Sequence, residues 1–308
     1  HMFGDLTRVG ANFHAMEAWS NLKKVNGDIG QIQSRLSSGK RINSAEDDTS
    51  GYALSKHLES RTRGLSQALD NVGTAKNVLN IAEGGYQSQM SILQTIKEKM
   101  TQAADGAFSV EQRGAIGDQV EALLKEFDDI NTTTKFNDNQ LMGEGYSSEV
   151  AWTASDDFNA HVATIESDGE MEFQVGEGKD DKLKVDFDNS TSYSVGEDGE
   201  NIHAILNNGA DSSDITVALE SWSKLDQTAA NYGISVLDKA IKSLAKSIQS
   251  VGDYNARLSS KEESLSLAIS NTEATRSRIE DADFAKEQMS MMKLQILQQT
   301  SVSSFSQA

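Results

Sequence analysis

Residues 58–100 read LESRTRGLSQALDNVGTAKNVLNIAEGGYQSQMSILQTIKEKM. Every seventh position carries a large side chain: Leu58, Leu65, Val72, Leu79, Tyr86, Leu93 and Met100. Three places further on, Ala68, Ala75, Ala82 and Ile96 fill most of a second seam. That spacing predicts a long helix with one apolar stripe, of the coiled-coil or bundle kind. Gly73 and the Gly84-Gly85 pair weaken it locally, by up to about 1 kcal/mol per glycine. The small residues of the second seam leave room for a partner to approach closely.

A matching partner lies near the other end of the chain. Leu237, Leu244, Val251, Leu258 and Leu265 recur at the same interval, with Ile234, Ile241 and Ile248 on the neighbouring seam. The simplest arrangement packs the two arms against each other, antiparallel. A shorter helix over about 110–130 presents Ile116, Val120, Leu123, Leu124 and Phe127 on one face and completes a small bundle. The stretch 131–145, rich in Thr, Asn and Gly, reads as a loop. Two alternating runs, 170–175 (Met171, Phe173, Val175) and 183–187 (Leu183, Val185, Phe187), are joined by a polar hexapeptide and predict a β-hairpin. The fold class expected is therefore mainly α, two heptad arms with a small hairpin-bearing insert.

Composition agrees. The 308 residues contain no proline, where an average chain of this length holds about 15. Proline removes an amide donor and clashes with the preceding turn, so its absence suits long uninterrupted helices. There is no cysteine, which excludes disulfides, thiolate metal sites and cysteine nucleophiles. Aromatics are 6% and mean hydropathy is -0.50, too little for a thick globular core, so burial must come from seams or from contacts between copies.

A net charge of -19 argues against nucleic acid and against anionic membrane surfaces. No apolar run is long enough to span a bilayer, and no cleavable signal opens the chain; His1-Met2 reads as a cloning scar. The charge is concentrated. Between Gly143 and Asp214 stand 18 acidic residues against Lys179, Lys182 and Lys184, which is -15 of the total. This segment is expected to form an exposed, mutually repelling lobe that keeps an assembly soluble. Its acidic pairs, Asp156-Asp157, Asp180-Asp181 and the run Glu197 to Glu200, lack the regular oxygen spacing of a calcium loop. The histidines 1, 14, 57, 161 and 203 form no H-E-x-x-H pair, and no glycine-rich phosphate loop is present. No cofactor or metal is expected, and no enzyme.

Between the arms and the ends lies a motif that periodicity leaves as a mere connector: RLSSGKRINSAEDDTSGYA, Arg35 to Ala53. It closely resembles the signature L-S-S-G-x-R-I-N-x-A-x-D-D-x-x-G-x-A of bacterial flagellins. ATRSRIEDADFAKE, Ala274 to Glu287, resembles the family's C-terminal signature, and QILQQ from Gln295 follows at the family's spacing. Asn21-Leu22 and the hairpin segment Phe173 to Gly176 match as well. The resemblance covers roughly 5–142 and 215–308.

The resemblance implies a structural subunit, exported unfolded through the flagellar type III apparatus and polymerised into the extracellular filament for swimming. It implies five segments. Residues 1–48 and 280–308 correspond to an axial core, 49–142 and 215–279 to the helices of an inner tube, and 143–214 to the variable lobe. Core assembly then falls to Leu6, Phe13, Met16, Leu22, Ile29, Leu36 and Ile42 on one arm and Ile279, Phe284, Met289, Leu294 and Leu297 on the other. These amphipathic ends are expected to lack a partner surface within one chain. The bundle seam is Leu58, Leu65, Val72, Leu79, Leu93, Leu237, Leu244, Val251 and Leu258. Implied partners are further copies, a secretion chaperone on the C-terminal arm, the export apparatus, and the filament cap and hook-junction proteins.

Two departures from the family matter. Flagellins usually continue past Gln307-Ala308 with a tail resembling N-Q-x-P-Q-N-V-L-x-L-L-R; a shortened end predicts poor polymerisation and weaker chaperone binding. The family's Toll-like-receptor helix reads L-Q-R-x-R-E-L-A-x-Q, against LQTIKEKMTQ from Leu93 here. Thr95 replaces an arginine, Lys99 a leucine, and Gln119 stands where a glutamate is expected, so receptor activation is expected to be weak or absent. A hook–filament junction paralogue and an adhesive role for the acidic lobe are the competing readings. Near-complete signatures at both ends disfavour the first. The lobe offers only isolated Tyr146, Trp152 and Tyr193 as sugar platforms, which disfavours the second.

Overall fold

A computed structural model describes residues 13–142, 169–197, 200–207 and 219–307. Among these, the chain is mainly α: α1 (Phe13–Ser38), α2 (Thr49–Ala103), α3 (Val110–Thr133), α4 (Gln227–Glu280) and α5 (Phe284–Gln307). Three antiparallel two-stranded ribbons accompany them: β1 (Lys135–Phe136) with β2 (Asn139–Gln140), β3 (Gly169–Gln174) with β4 (Lys182–Phe187), and β5 (Gly196–Glu197) with β6 (Glu200–Asn201). Contacts divide the chain into two units. One joins residues up to 66 with those from 266 onward; the other is 67–265.

The second unit is built on the heptad seam. Val72, Ala75, Leu79, Ala82, Tyr86, Leu93, Ile96 and Met100 of α2 are completely buried, as are Leu237, Leu244, Val251, Leu258 and Leu265 of α4 to within a few per cent. Burying a leucine side chain contributes roughly 1.5–3 kcal/mol. The helices run antiparallel: Lys97 pairs with Asp238 at 2.5 Å, Asn255 donates to Asn80 at 3.3 Å, and Lys76 pairs with Glu262 at 3.2 Å. The second seam of α4 departs from the expected one. Ile234, Ile241 and Ile248 are only half-buried, whereas Ala240 and Ser247 are buried. Small residues there let the neighbouring backbone come close, which isoleucine would prevent.

Helix α2 also extends beyond both ends of the heptad run and passes unbroken through Gly73 and Gly84-Gly85. Helix α3 starts on a capping box, in which Ser109 accepts from the Gln112 amide and the Gln112 side chain accepts from the Ser109 amide. Its inner face carries Ile116, Val120, Leu124 and Phe127, all buried. Gly117 is buried there because a Cβ would strike the carbonyl oxygen of Trp222. Where the sequence reads as a loop after 131, α3 continues to Thr133 and a tight hairpin follows. Its turn residues Asn137 and Asp138 have φ of 48° and 64°, the left-handed pair that matches strand twist.

The expected hairpin forms as β3–β4, with Met171 opposite Val185 and Phe173 opposite Leu183. Leu183, Val185 and Phe187 point inward. Asn71 of α2 donates to the carbonyl of Gln174 at 3.0 Å, and Tyr86 to that of Asp188 at 2.7 Å.

The expected exposed lobe is corrected in its described second half. Ser190, Thr191, Ser192, Val195, Ile202, Ile205 and Leu206 are buried. The hydroxyls and amides of this segment find donors and acceptors on the helices. Gln89 donates to the Ser190 carbonyl at 2.8 Å, and Asn131 to the Ser190 hydroxyl at 3.3 Å. Nor do its acidic residues simply repel one another. Glu200 pairs with Lys239 at 2.9 Å, and Glu197 with Lys246 at 3.4 Å and Lys242 at 3.9 Å. Residues 143–168, including Asp156-Asp157, Trp152 and Tyr146, lie outside the described part.

Candidate assembly surface and the crossed linkers

Helices α1 and α5 pair with each other, so the terminal segments do not lack a partner as the sequence suggests. Arg35 meets Glu287 at 3.6 Å and Gln298 donates to Asn26 at 2.6 Å, an antiparallel arrangement. On α1 the covered stripe is Ala18, Leu22, Val25, Ile29, Ile32 and Leu36, spaced four and three apart; Ala18 and Ile32 are buried and the others half-buried. This is an ordinary amphipathic face.

On α5 the ordinary logic is inverted. The half-buried positions are Glu287, Ser290, Met291, Leu294, Gln298 and Ser301, a mixed and largely polar set. The larger apolar side chains face outward: Met289 is 71% exposed, Ile296 64%, Met292 63% and Phe284 59%, with Leu297 and Val302 also exposed. Met289, Met292 and Ile296 stand at i, i+3 and i+7 and so share one face. Met16 and Trp19 are exposed on α1 at 65% and 54%. Leu6 lies outside the described residues, and for Phe13 only the helical backbone is described.

The pair is held at its base by two linkers that cross. Residues 39–48 run past 279–283, with Ala282 donating to the Gly39 carbonyl at 3.0 Å and Lys40 opposite Asp281 in an antiparallel bridge. The Arg41 amide donates to the Glu280 carbonyl at 2.5 Å, and its guanidinium donates to the Ile279 carbonyl at 2.8 Å. Glu280 is buried and triply engaged: Lys40 at 2.7 Å, the Ser55 hydroxyl at 2.6 Å and Arg276 at 3.7 Å. Burial raises its pKa, but the hydrogen bonds from Lys40 and Ser55 outweigh that and hold it below the usual glutamate value. The Glu280 hydrogen bond in turn raises Lys40.

The remaining signature residues have equally local tasks. Asp47 accepts from the amides of Asn43 at 2.8 Å and Ser44 at 3.1 Å, which lowers its pKa. Asp48 accepts from the Gly51 amide at 2.9 Å at the start of α2 and faces Arg41 at 3.4 Å; the amide, more than Arg41, lowers its pKa. A Cβ at Gly51 would press on the Asp48 carboxylate and on the buried Ile42, so a larger residue there would displace both side chains. Periodicity does not reveal these roles: Asp47 and Asp48 accept from amides three or four residues away, whereas Arg41 and Glu280 meet partners more than 200 residues away.

Of the seam residues, Leu58, Leu65, Val72, Leu79, Leu93, Leu237, Leu244, Val251 and Leu258 are all buried. Ile279 is half-buried. Thr95 and Lys99 sit half-buried one turn apart on α2, the Thr95 hydroxyl bonded to the Ser91 carbonyl at 3.0 Å, and Gln119 is exposed on α3. His203, passed over in the sequence, stacks on Tyr193 at 3.9 Å between ring centroids and contacts the Ser192 hydroxyl at 2.8 Å. That hydroxyl and the Ser192 amide both donate to Asp128, at 2.6 and 2.7 Å. Among the described residues no cluster of histidines and carboxylates could hold a metal ion, and no helix is long and apolar enough to cross a membrane.

Comparison with known proteins points the same way. Residues 9–146 match the model of the bacterial flagellin N-terminal helical region, and 234–308 that of the C-terminal helical region. Flagellin FlaB1 of Treponema pallidum is 31% identical over 96% of this chain and 94% of its own length. A flagellin of Listeria monocytogenes is 30% identical over 98% and 95%. A solved structure put forward as a flagellar hook-associated protein of Vibrio parahaemolyticus shares the fold, with a TM-score of 0.58 at 13% identity, covering 76% of this chain and all of that one. With both terminal family models matched and relatives at this identity along nearly its whole length, the chain belongs to the bacterial flagellin family.

Proposed function

We propose that copies of this chain polymerise through the outward apolar face of α5 and the exposed Met16 and Trp19 of α1. As a flagellin, the chain is a structural subunit of the flagellar filament and not an enzyme. The observation that carries the reading is the inversion on α5: large apolar side chains in water beside a polar-mixed covered face. An exposed apolar stripe of this kind marks an interaction surface. A head-to-tail contact between different faces does not close, so it generates an open helical filament. Residues 1–48 and 280–308 form the axial core, with Leu22, Ile29, Leu36, Ile42, Ile279 and Leu294 keeping the pair together and Phe284, Met289 and Leu297 meeting other copies. Residues 49–142 and 215–279 correspond to the family's inner-tube helices, and 143–214 to its variable lobe.

Export through the flagellar type III apparatus, swimming, and contacts with a secretion chaperone on α5, a filament cap and the hook-junction proteins complete the proposal. The same exposed residues of α5 would serve the chaperone before assembly and neighbouring subunits after it. Thr95, Lys99 and Gln119 make the chain a weak activator of the vertebrate Toll-like receptor for flagellin; a reporter response equal to that of an enteric flagellin would contradict this. Polymerisation itself is tested by seeded growth followed by light scattering. Slow growth onto seeds is expected with the chain as it stands, and no growth on Ile296→Asp. Absence of growth onto seeds, or unaltered growth of the variant, refutes the proposal.

A further inference from the structure

The described methionines range from largely exposed to completely buried, with Met90, Met171 and Met291 half-buried. Met289, Met292 and Met16 are 71%, 63% and 65% exposed, whereas Met100 and Met142 are completely buried. Met289 and Met292 lie one turn apart in the outward stripe of α5, beside Ile296. A thioether is flexible and polarisable, so it adapts to an apolar contact. In a chain without cysteine it is also the sulfur that peroxide can oxidise.

We infer that Met289 and Met292 are sites of reversible oxidation by peroxide that switch the unassembled chain out of polymerisation. This rests on the reading of α5 as an assembly face. The thioether sulfur attacks one oxygen of hydrogen peroxide, the O–O bond breaks, a sulfur–oxygen bond forms, and the departing hydroxide leaves as water after proton transfer. Sulfur is oxidised by two electrons and the peroxide is reduced by two. The product sulfoxide is a polar, chiral group on what was an apolar side chain. Exposed on a single chain it costs nothing, because water solvates it. Buried against a neighbouring copy without a donor it carries a desolvation penalty, which lowers the tendency to assemble. Once the stripe is covered by a neighbour, peroxide cannot reach the sulfur. Oxidation therefore acts on free subunits and spares finished filaments, and sulfoxide reductases restore the free subunit.

The test treats the full chain with hydrogen peroxide, maps added oxygen by peptide mass spectrometry, and measures growth on untreated seeds. Met289 and Met292 should oxidise at least tenfold faster than Met100 and Met142 in the free chain, and slow by a similar factor once assembled. Growth of the treated chain should fall about tenfold, and a Met289→Leu, Met292→Leu double variant should keep growing after the same treatment. The inference is overturned if the α5 methionines oxidise as slowly as the buried pair, if the treated chain grows normally, or if the double variant loses growth equally. Failure of the untreated chain to grow on seeds overturns the assembly reading beneath it, and the switch with it.

Discussion

Helices α2 and α4 of the 67–265 unit and helices α1 and α5 of the other unit obey the same helical grammar with opposite outcomes. In the first pair the largest side chains, Tyr86, Leu79, Leu93, Ile96 and Met100, are wholly buried. In the second, Met289, Met292, Ile296 and Phe284 face water while Ser290 and Gln298 lie on the covered side. The difference separates two uses of an apolar stripe. One stabilises a single chain; the other, on the proposed reading, serves a contact between copies. Stability and assembly should accordingly respond to different residues.

The largest expected effect breaks the first seam. Leu93→Ala removes a fully buried side chain and should lower unfolding free energy by about 2–5 kcal/mol in chemical denaturation. A loss as small as that of a surface residue would show that the seam is not what stabilises this unit.

A second effect sharpens how the lobe is fastened to α3. Burial pushes Asp128 up to about 6 from 3.8, against the two hydrogen bonds from Ser192 and with Asp129 adding to the rise. Between roughly pH 4 and 6 the folded chain keeps a proton that the unfolded chain has released. This contribution is therefore full below about pH 4 and is lost as pH rises through 6, amounting to about 1–3 kcal/mol. Glu200, Glu280, Asp47 and Asp48 are all shifted down, so their opposite contribution is present above their unfolded values and lost as pH falls through the folded ones, overlapping only the acid edge of this window. His203 meets the same Ser192 hydroxyl, so Asp128→Asn is the informative variant. It should flatten the stability profile between pH 4 and 6, read by the fluorescence of Trp222, which is buried with its ring edge toward His203.

A third, smaller effect concerns the crossed linkers. Glu280→Ala leaves Lys40 and Ser55 without their shared partner and should cost about 1–2 kcal/mol, with faster hydrogen exchange over 39–48. Unchanged exchange there would show that the backbone bridge alone holds the crossing. The smallest effect completes the contrast: Met289→Ala should change the stability of the free chain by less than about 0.5 kcal/mol. A loss near that of Leu93→Ala would mean that the outward face of α5 is already covered.

The heptads of residues 58–100 and 237–265 made the long helices legible because burial there follows a fixed interval. The hairpin of Phe173 and Val185 was legible for the same reason, with a period of two. Residues 188–207 were not. Ser190 and Ser192 there are received by Gln89, Asn131 and Asp128 across 59 to 101 positions, and no local pattern announces such partners. The α1–α5 pairing was hidden for a related reason. The apolar side chains of α5 were plain in the sequence, but most of them, Met289, Met292, Ile296 and Leu297 among them, are exposed and not on the covered side. The signature at Arg35 to Ala53 identified the family without disclosing what Arg41, Asp47 and Asp48 do. The role of Arg41 becomes visible only when residues 279–283 are brought alongside, whereas Asp47 and Asp48 bind amides within the signature itself, in turns that helical periodicity does not mark.

The claim that α5 stores its apolar stripe for neighbouring copies is tested most directly by electron cryo-microscopy of the assembled chain at side-chain resolution. Met289, Met292 and Ile296 should be buried against adjacent subunits while Leu79, Leu93 and Leu244 keep the intrachain contacts they have now. A filament in which the α5 stripe still faces solvent, or in which the α2–α4 seam has opened to supply the contacts instead, would contradict the account.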